Sequence, residues 1–269
     1  MSQANATTQE KSGFNWTVLV IPAALVVSEL VFYFVFGNEK HFTSATKEVP
    51  IPGDTMGIIF KGGFIVPILM TFLLTVFTFS IERFLTINKA RGTGSLESFL
   101  QKVKSLLHKG DINGAIAECN KQKGSVANVV VEGLHQYQEM DKNTEFTLEQ
   151  KVASIQQEIE ESTSLELPSL EENLPILATL ASVSTLVALL GTVLGMIRAF
   201  SAMATTGNPD PAKLSAGISE ALINTAIGIG TSALSIIMYN VFTNMIDKLT
   251  YGIDEIGYSI SQKFASTRK

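Results

Sequence analysis

The sequence predicts an all-α integral membrane protein: four transmembrane helices with long cytoplasmic helical extensions. Three observations predict it. Apolar runs recur at 16–36, 64–80, 174–200 and 218–241, and about 20 such residues suffice to cross a bilayer. Charged residues make up only 17% of the 269-residue chain, against about 25% in soluble domains. That charge is concentrated between residues 83 and 172, where apolar and charged positions alternate at helical spacing.

Residues 1–15 are rich in Ser, Thr, Asn and Gln and read as a disordered N-terminus. The run 16–36 is longer than a signal-peptide core, has only Lys11 before it and lacks a small-x-small cleavage site, so it reads as a retained, additional span. Glu29 lies inside it. A carboxylate at a helix centre costs roughly 2.5–3.5 kcal/mol on insertion scales, so Glu29 is expected to face protein or an interface. Residues 37–62, with Pro50 and Pro52, form a periplasmic linker. The second span and its cytoplasmic extension occupy 63–88, and 89–173 is a cytoplasmic helical domain. Within that domain Gly110 and Asp111 break two helices, and Leu148, Val152, Ile155 and Ile159 form an amphipathic stripe. A bend is expected near Pro168 or Pro175. The third span is 174–200, the turn-rich periplasmic loop is 201–217 and the fourth span is 218–242. Residues 243–269 read as an amphipathic cytoplasmic helix projecting into solvent.

Composition also excludes. A net charge of −5 and a pI near 5.3 leave no basic face for nucleic acid. Cys119 is the single cysteine, and His41, His108 and His135 are scattered without ligand spacing, so no metal is expected. No cofactor is expected either. No nucleophile–base pair or phosphate-binding loop marks an enzyme. Ten of the 20 Lys and Arg residues lie between 83 and 151, and Lys248, Lys263, Arg268 and Lys269 lie in the tail. The positive-inside bias therefore puts the large region and the C-terminus in the cytoplasm, with both termini on one side.

Polar residues inside the last two spans suggest an ion or proton path, because such groups are expensive in lipid. Thr192 is eight residues before the end of the third span, and Thr225 seven after the start of the fourth. At 1.5 Å per residue both lie about 10–12 Å from the outer boundary, hence level with one another. Glu220 lies nearer the outer face. Ala221, Thr225, Gly228, Ser232 and Ser235 share one face of the fourth span, overlapped by Glu220, Asn224, Gly228, Thr231 and Ser235. On the third span Thr185, Ala188, Thr192, Gly195 and Ala199 do the same. Small residues also serve close helix packing, so the glycines and alanines admit that role equally. The hydroxyls, which both donate and accept, favour a wet path. Two polar-faced helices cannot close a pore alone. They need copies of themselves or a partner to cover their polar faces, so a homo-oligomer with a lumen, open to a further helix, follows from burial.

The segments "LLGTVLGMIRAF" and "GISEALINTAIGI", with "SIERF" and "GDINGAIAEC" upstream, resemble the ExbB/TolQ/MotA proton-channel family, above all its ExbB and TolQ branches. That resemblance implies a bacterial inner-membrane motor subunit: a pentamer around the helices of an ExbD- or TolR-like single-span partner whose transmembrane Asp carries the proton. It implies pore hydroxyls at Thr192 and Thr225 and an intramembrane glutamate at Glu220. Such a motor drives TonB-dependent outer-membrane transport; a TolQ-like envelope-integrity or motility role, or a non-conducting scaffold, are the alternatives. Thr185 and Ala188 stand where the family has Pro and Gly, and Asn224 where a small residue is usual. Thr185, Asn224 and Ser232 complete the expected proton path.

Overall fold

A computed structural model describes residues 16–44, 47, 49–204 and 211–267. The expected disordered N-terminus, residues 205–210 of the loop expected to be periplasmic and the final two residues lie outside the described residues. What is described is almost entirely helical. Helix α1 (Trp16–Leu30) passes into a π-helical turn, Val31–Phe36, followed by a short 3-10 turn, Glu39–His41. Then come α2 (Thr55–Phe60), α3 (Ile65–Arg91), α4 (Leu96–Lys109), α5 (Ile112–Gln122), α6 (Ser125–Lys142), α7 (Leu148–Glu171), α8 (Leu174–Ala204) and α9 (Pro211–Ser266). Extended pairing among the described residues is limited to an isolated bridge between Phe42 and Pro50. Four helices are long and apolar enough to cross a membrane, as the fold class requires.

Local chemistry sets the boundaries. Asp54 caps α2 by accepting from Met56 N at 2.9 Å and Gly57 N at 3.2 Å. Gly110, at φ 77°, ends α4, and Asp111 starts α5 by accepting from Gly114 N at 2.8 Å. The expected break at these two residues is therefore a C-cap followed by an N-cap. Thr147 and Gln150 close a reciprocal capping box at the start of α7. Pro168 is accommodated inside α7, and the interruption falls at two turn residues, Glu172 and Asn173, between the two prolines.

The chain divides into two compact units, residues 1–75 with 184–229, and residues 76–183 with 230–269. In the first, Ile65, Leu69 and Ala188 form a core with Phe72, Val187, Leu194 and Ile227 packed on it. The linker contributes Phe60, which stacks on Phe32 at 4.8 Å and meets Phe42 edge-on at 5.6 Å. In the second unit Val103, Leu107, Leu134 and Ile155 are buried, and the end of α9 meets α4 and α7, with Cβ positions at Gly252 and Gly257 lying 3.1 Å from Leu100 Cδ1 and 3.2 Å from Ile159 Cγ2.

That end of α9 corrects one expectation. Residues 243–267, the described part of the expected 243–269 helix, do not project freely into solvent. Ile246, Leu249, Ile253, Ile256, Ile260 and Phe264 are buried, Phe264 meets Tyr137 edge-on at 4.8 Å, and Lys104 pairs with Glu255. An amphipathic stripe of this kind is stable in water only with a partner surface, and α4–α7 supply it. In the same unit Arg83 is fully buried; its Nη1 donates to the carbonyls of Ser169 at 3.0 Å and Leu170 at 3.1 Å, and it pairs with Glu82. Glu82 also accepts from Asn173 Nδ2 at 3.0 Å. Cys119 is buried in α5, which pushes its thiol up to about 12.

Candidate functional site

The site is assembled where α8 and α9 approach within the first unit. Glycine makes the approach possible. A Cβ at Gly195 would lie 2.8 Å from Ala221 N, one at Gly217 2.8 Å from Ala199 N, and one at Gly228 2.8 Å from the Ser184 carbonyl. Ala188, Ala199 and Ala221 are buried in the same seam. The two small-residue stripes therefore face each other, the arrangement that lets helices associate where apolar burial offers no gain.

At this separation the Thr192 and Thr225 side chains meet, their Oγ1 atoms in direct hydrogen-bond contact. The two hydroxyls, placed level by the spacing, lie opposite one another across the helix pair. Each also has an in-helix acceptor: Thr192 Oγ1 donates to Ala188 O at 3.1 Å and Thr225 Oγ1 to Ala221 O at 3.1 Å. A threonine hydroxyl has one proton and two lone pairs. The pair thus forms a short relay in which either hydroxyl donates to the other, while the second proton rests on a backbone carbonyl. Both residues are half-buried, so one side of the relay stays open.

Asn224, one position earlier, is fully buried. Its Nδ2 donates to Gly62 O at 3.0 Å, and its side chain lies 2.8 Å from where a Cβ of Gly191 would be. Asn224 Oδ1 is buried without a partner, as is Ser184 Oγ. Orphaned buried acceptors cost about 1–3 kcal/mol each, so such an atom calls for an occupant such as water.

Glu220 is 7% exposed and forms an ion pair with Arg198. Its carboxylate lies against backbone: a Cβ at Gly63 would sit 2.6 Å from Glu220 Oε1, and Gly63 adopts φ +73°. Only glycine is comfortable there. The Arg198 guanidinium also lies 5.6 Å from the centre of the Phe64 ring. Thr185 is half-buried and makes no side-chain hydrogen bond among the described residues. Ser232 belongs to the second unit, where its Oγ donates to the carbonyl of Ala181, as Ser235 Oγ does to Leu177 O at 2.7 Å. Both hydroxyl protons there hold α9 to α8.

Reading the sequence alone missed Arg198, Gly62 and Gly63. A lone arginine at the end of "LLGTVLGMI" was the available signal, since a cation in an apolar run needs a counter-charge. The glycine pair gave none, because what it contacts is distant in sequence.

Fold and site together define a multi-pass helical membrane protein whose spans carry polar groups at their contacts. Residues 122–255 match the MotA/TolQ/ExbB proton channel family. Similarity extends to the Tol-Pal system protein TolQ of Pseudomonas aeruginosa, 44% identical over 30% of this chain and 35% of that protein. The biopolymer transport protein ExbB of Salmonella typhimurium is 31% identical over 50% of this chain and 47% of that protein. ExbB of Pseudomonas putida is 28% identical over 48% of this chain and 39% of that protein. The chain spans between a third and a half of the length of these three relatives. The chain belongs to the MotA/TolQ/ExbB proton channel family.

Proposed function

We propose that this chain is the ring-forming subunit of a proton-driven motor in the bacterial inner membrane. In this reading several copies, five by the family's resemblance, surround an ExbD- or TolR-like single-span partner. Protons cross on the partner's transmembrane aspartate, and the ring supplies the surface along which that carboxyl is desolvated, loaded and unloaded. The observation that carries the reading is the Thr192–Thr225 hydroxyl contact. Two neutral groups that donate and accept in turn can pass a proton or hold a protonated carboxyl without fixing a charge in lipid. The orphaned Asn224 Oδ1 adds a buried acceptor one residue before Thr225 on α9, and the sequence spacing of Thr185 on the third span and Ser232 on the fourth adds further hydroxyls. The Glu220–Arg198 pair closes the outer end. There the Arg198 guanidinium neutralises the carboxylate and holds it in place.

The driving force is adequate: one charge moved across 100 mV yields about 2.3 kcal/mol. The half-buried relay also explains why copies are needed. A polar face left against lipid is costly, and a ring turned inward around a partner removes it from lipid. The positive-inside bias places α4–α7 in the cytoplasm and the linker 37–62 in the periplasm.

Energising TonB-dependent outer-membrane transport is the preferred role. The similarity to TolQ specifically favours a second one, a TolQ-like motor for envelope integrity. Loss-of-function cells complemented with variants test both. Thr225→Val, which keeps the shape and removes the hydroxyl, is expected to lower proton-coupled work at least about tenfold, the size of a lost proton-relay step. Membrane assembly should be unchanged. Whether iron-chelate uptake or detergent resistance is lost identifies the TonB-type or Tol-type role. Full function of both Thr225→Val and Glu220→Ala cells would reject the site and favour a passive scaffold.

A further inference from the structure

We propose that the pocket at the start of α6 binds a phosphate-type oxyanion. This site lies in the second unit, apart from the spans that carry the relay, and goes beyond the motor reading. The pocket has a volume of about 550 Å³ and is lined by Lys89, Thr93, Lys123, Ser125, Asn128 and Leu170, among others. Helix α6 has 18 residues, and its N-cap, Gly124, offers no side chain to the first turn. Its leading N–H groups therefore lack the usual cap and carry the positive end of the helix dipole.

A second observation points to an occupant. Ser125 is nine-tenths buried, lines the pocket, and its hydroxyl makes no hydrogen bond among the described residues. A hydroxyl in this position has no protein partner and keeps its donor for a ligand that enters the pocket. The backbone is brought close as well. The turn at Gly92 and the turn at Gly124 lie against each other: a Cβ at Gly124 would overlap Ala90 O and meet Gly92 N at 2.8 Å, and one at Gly92 would overlap Lys123 O. Both glycines have positive φ, 81° and 86°, so neither accepts a side chain that would fill the pocket.

Charge is arranged in the same sense. Lys89 and Lys123 are exposed and form no ion pair among the described residues. The carbonyls of Ser169 and Leu170, on the opposite wall, would repel an anion, but both already accept from Arg83. Asn128 Nδ2 is taken by Glu166 at 3.1 Å. The free donors are thus two lysines, one hydroxyl and the α6 N–H groups, the combination that holds phosphate at helix N-termini. Two sources present this chemistry: a free phosphate or phosphate monoester, and a phospholipid headgroup.

The test uses the full chain in phosphatidylcholine nanodiscs, titrated with inorganic phosphate by calorimetry. A parallel sample containing phosphatidylglycerol is assayed by native mass spectrometry for retained lipid. Lys89→Gln with Lys123→Gln is expected to weaken binding about tenfold or more, the loss of two charge-assisted contacts. Ser125→Ala should weaken it by a smaller factor. The distant pair Lys109→Gln with Lys142→Gln should change nothing. Phosphate binding in the first sample assigns the free anion. Phosphatidylglycerol retention lost in the site variants, without phosphate binding, assigns the headgroup. The proposal is overturned if neither probe distinguishes wild type from the site variants, or if the distant pair lowers binding equally.

Discussion

At the scale of single residues, a buried carboxylate is kept by its counter-charge, and Glu220 finds one in Arg198 across the α8–α9 contact. Arg198 is half-exposed, so solvent screens part of the attraction. A double-mutant cycle of Arg198→Ala and Glu220→Ala, read by unfolding in detergent, should show a coupling of about 1 kcal/mol. Additive effects would mean that the pair is not formed. The linker holds a second pair. Asp54 lies 2.7 Å from His41 Nδ1 and accepts from the α2 backbone. The His41 hydrogen bond first, then the Gly57 N–H, holds its carboxyl below the ordinary value of 3.8. A carboxylate with a lowered folded value adds stability above its unfolded value, and that stability is lost as pH falls through the folded one. The linker should therefore loosen as pH drops below about 4, and Asp54→Asn should remove that dependence in hydrogen exchange of α2. A pH profile identical in wild type and variant would contradict it.

At the scale of elements, the governing contact is α8 against α9, and its glycines are not equivalent. Gly228 meets the Ser184 backbone and the Ala188 side chain, whereas Gly230 has open space around its Cβ position. Gly228→Leu should destabilise the helix pair by about 1–3 kcal/mol through overpacking. Gly230→Ala should be neutral or stabilising by up to about 1 kcal/mol. Thermal unfolding of the detergent-solubilised protein separates them; equal effects would contradict the seam. This contrast also marks what the sequence makes legible. The four spans are sums over local apolar residues, so composition alone reveals them, and the break at Gly110 follows from local backbone preference. The level placement of Thr192 and Thr225 needs only a rise per residue and two span ends. The partner of Glu220 is a different matter. Arg198 lies 22 residues away on another helix, and periodicity says nothing about which faces meet. For the same reason the stripe from Ile246 to Phe264 was visible as amphipathic, but not the α4–α7 surface that covers it.

At the scale of the whole molecule, the single chain leaves much apolar surface open. Leu186, Leu189, Leu190, Val193 and Ile197 of α8 and Leu222 and Ile229 of α9 are exposed. Lipid or further copies must cover them. The half-buried hydroxyl pair needs a polar neighbour instead, which lipid cannot provide. The proposed function therefore predicts an assembly in which the threonine pair faces a hydrated centre shared with a partner's carboxyl. Proton flux in liposomes containing the chain and its single-span partner tests this most directly, with a potassium-diffusion potential as the driving force. Wild-type assemblies should acidify the lumen when the potential is imposed, and Thr192→Val with Thr225→Val should reduce that flux at least about tenfold, with the complex intact by size. Undiminished flux through the intact double variant would contradict the hydroxyl relay.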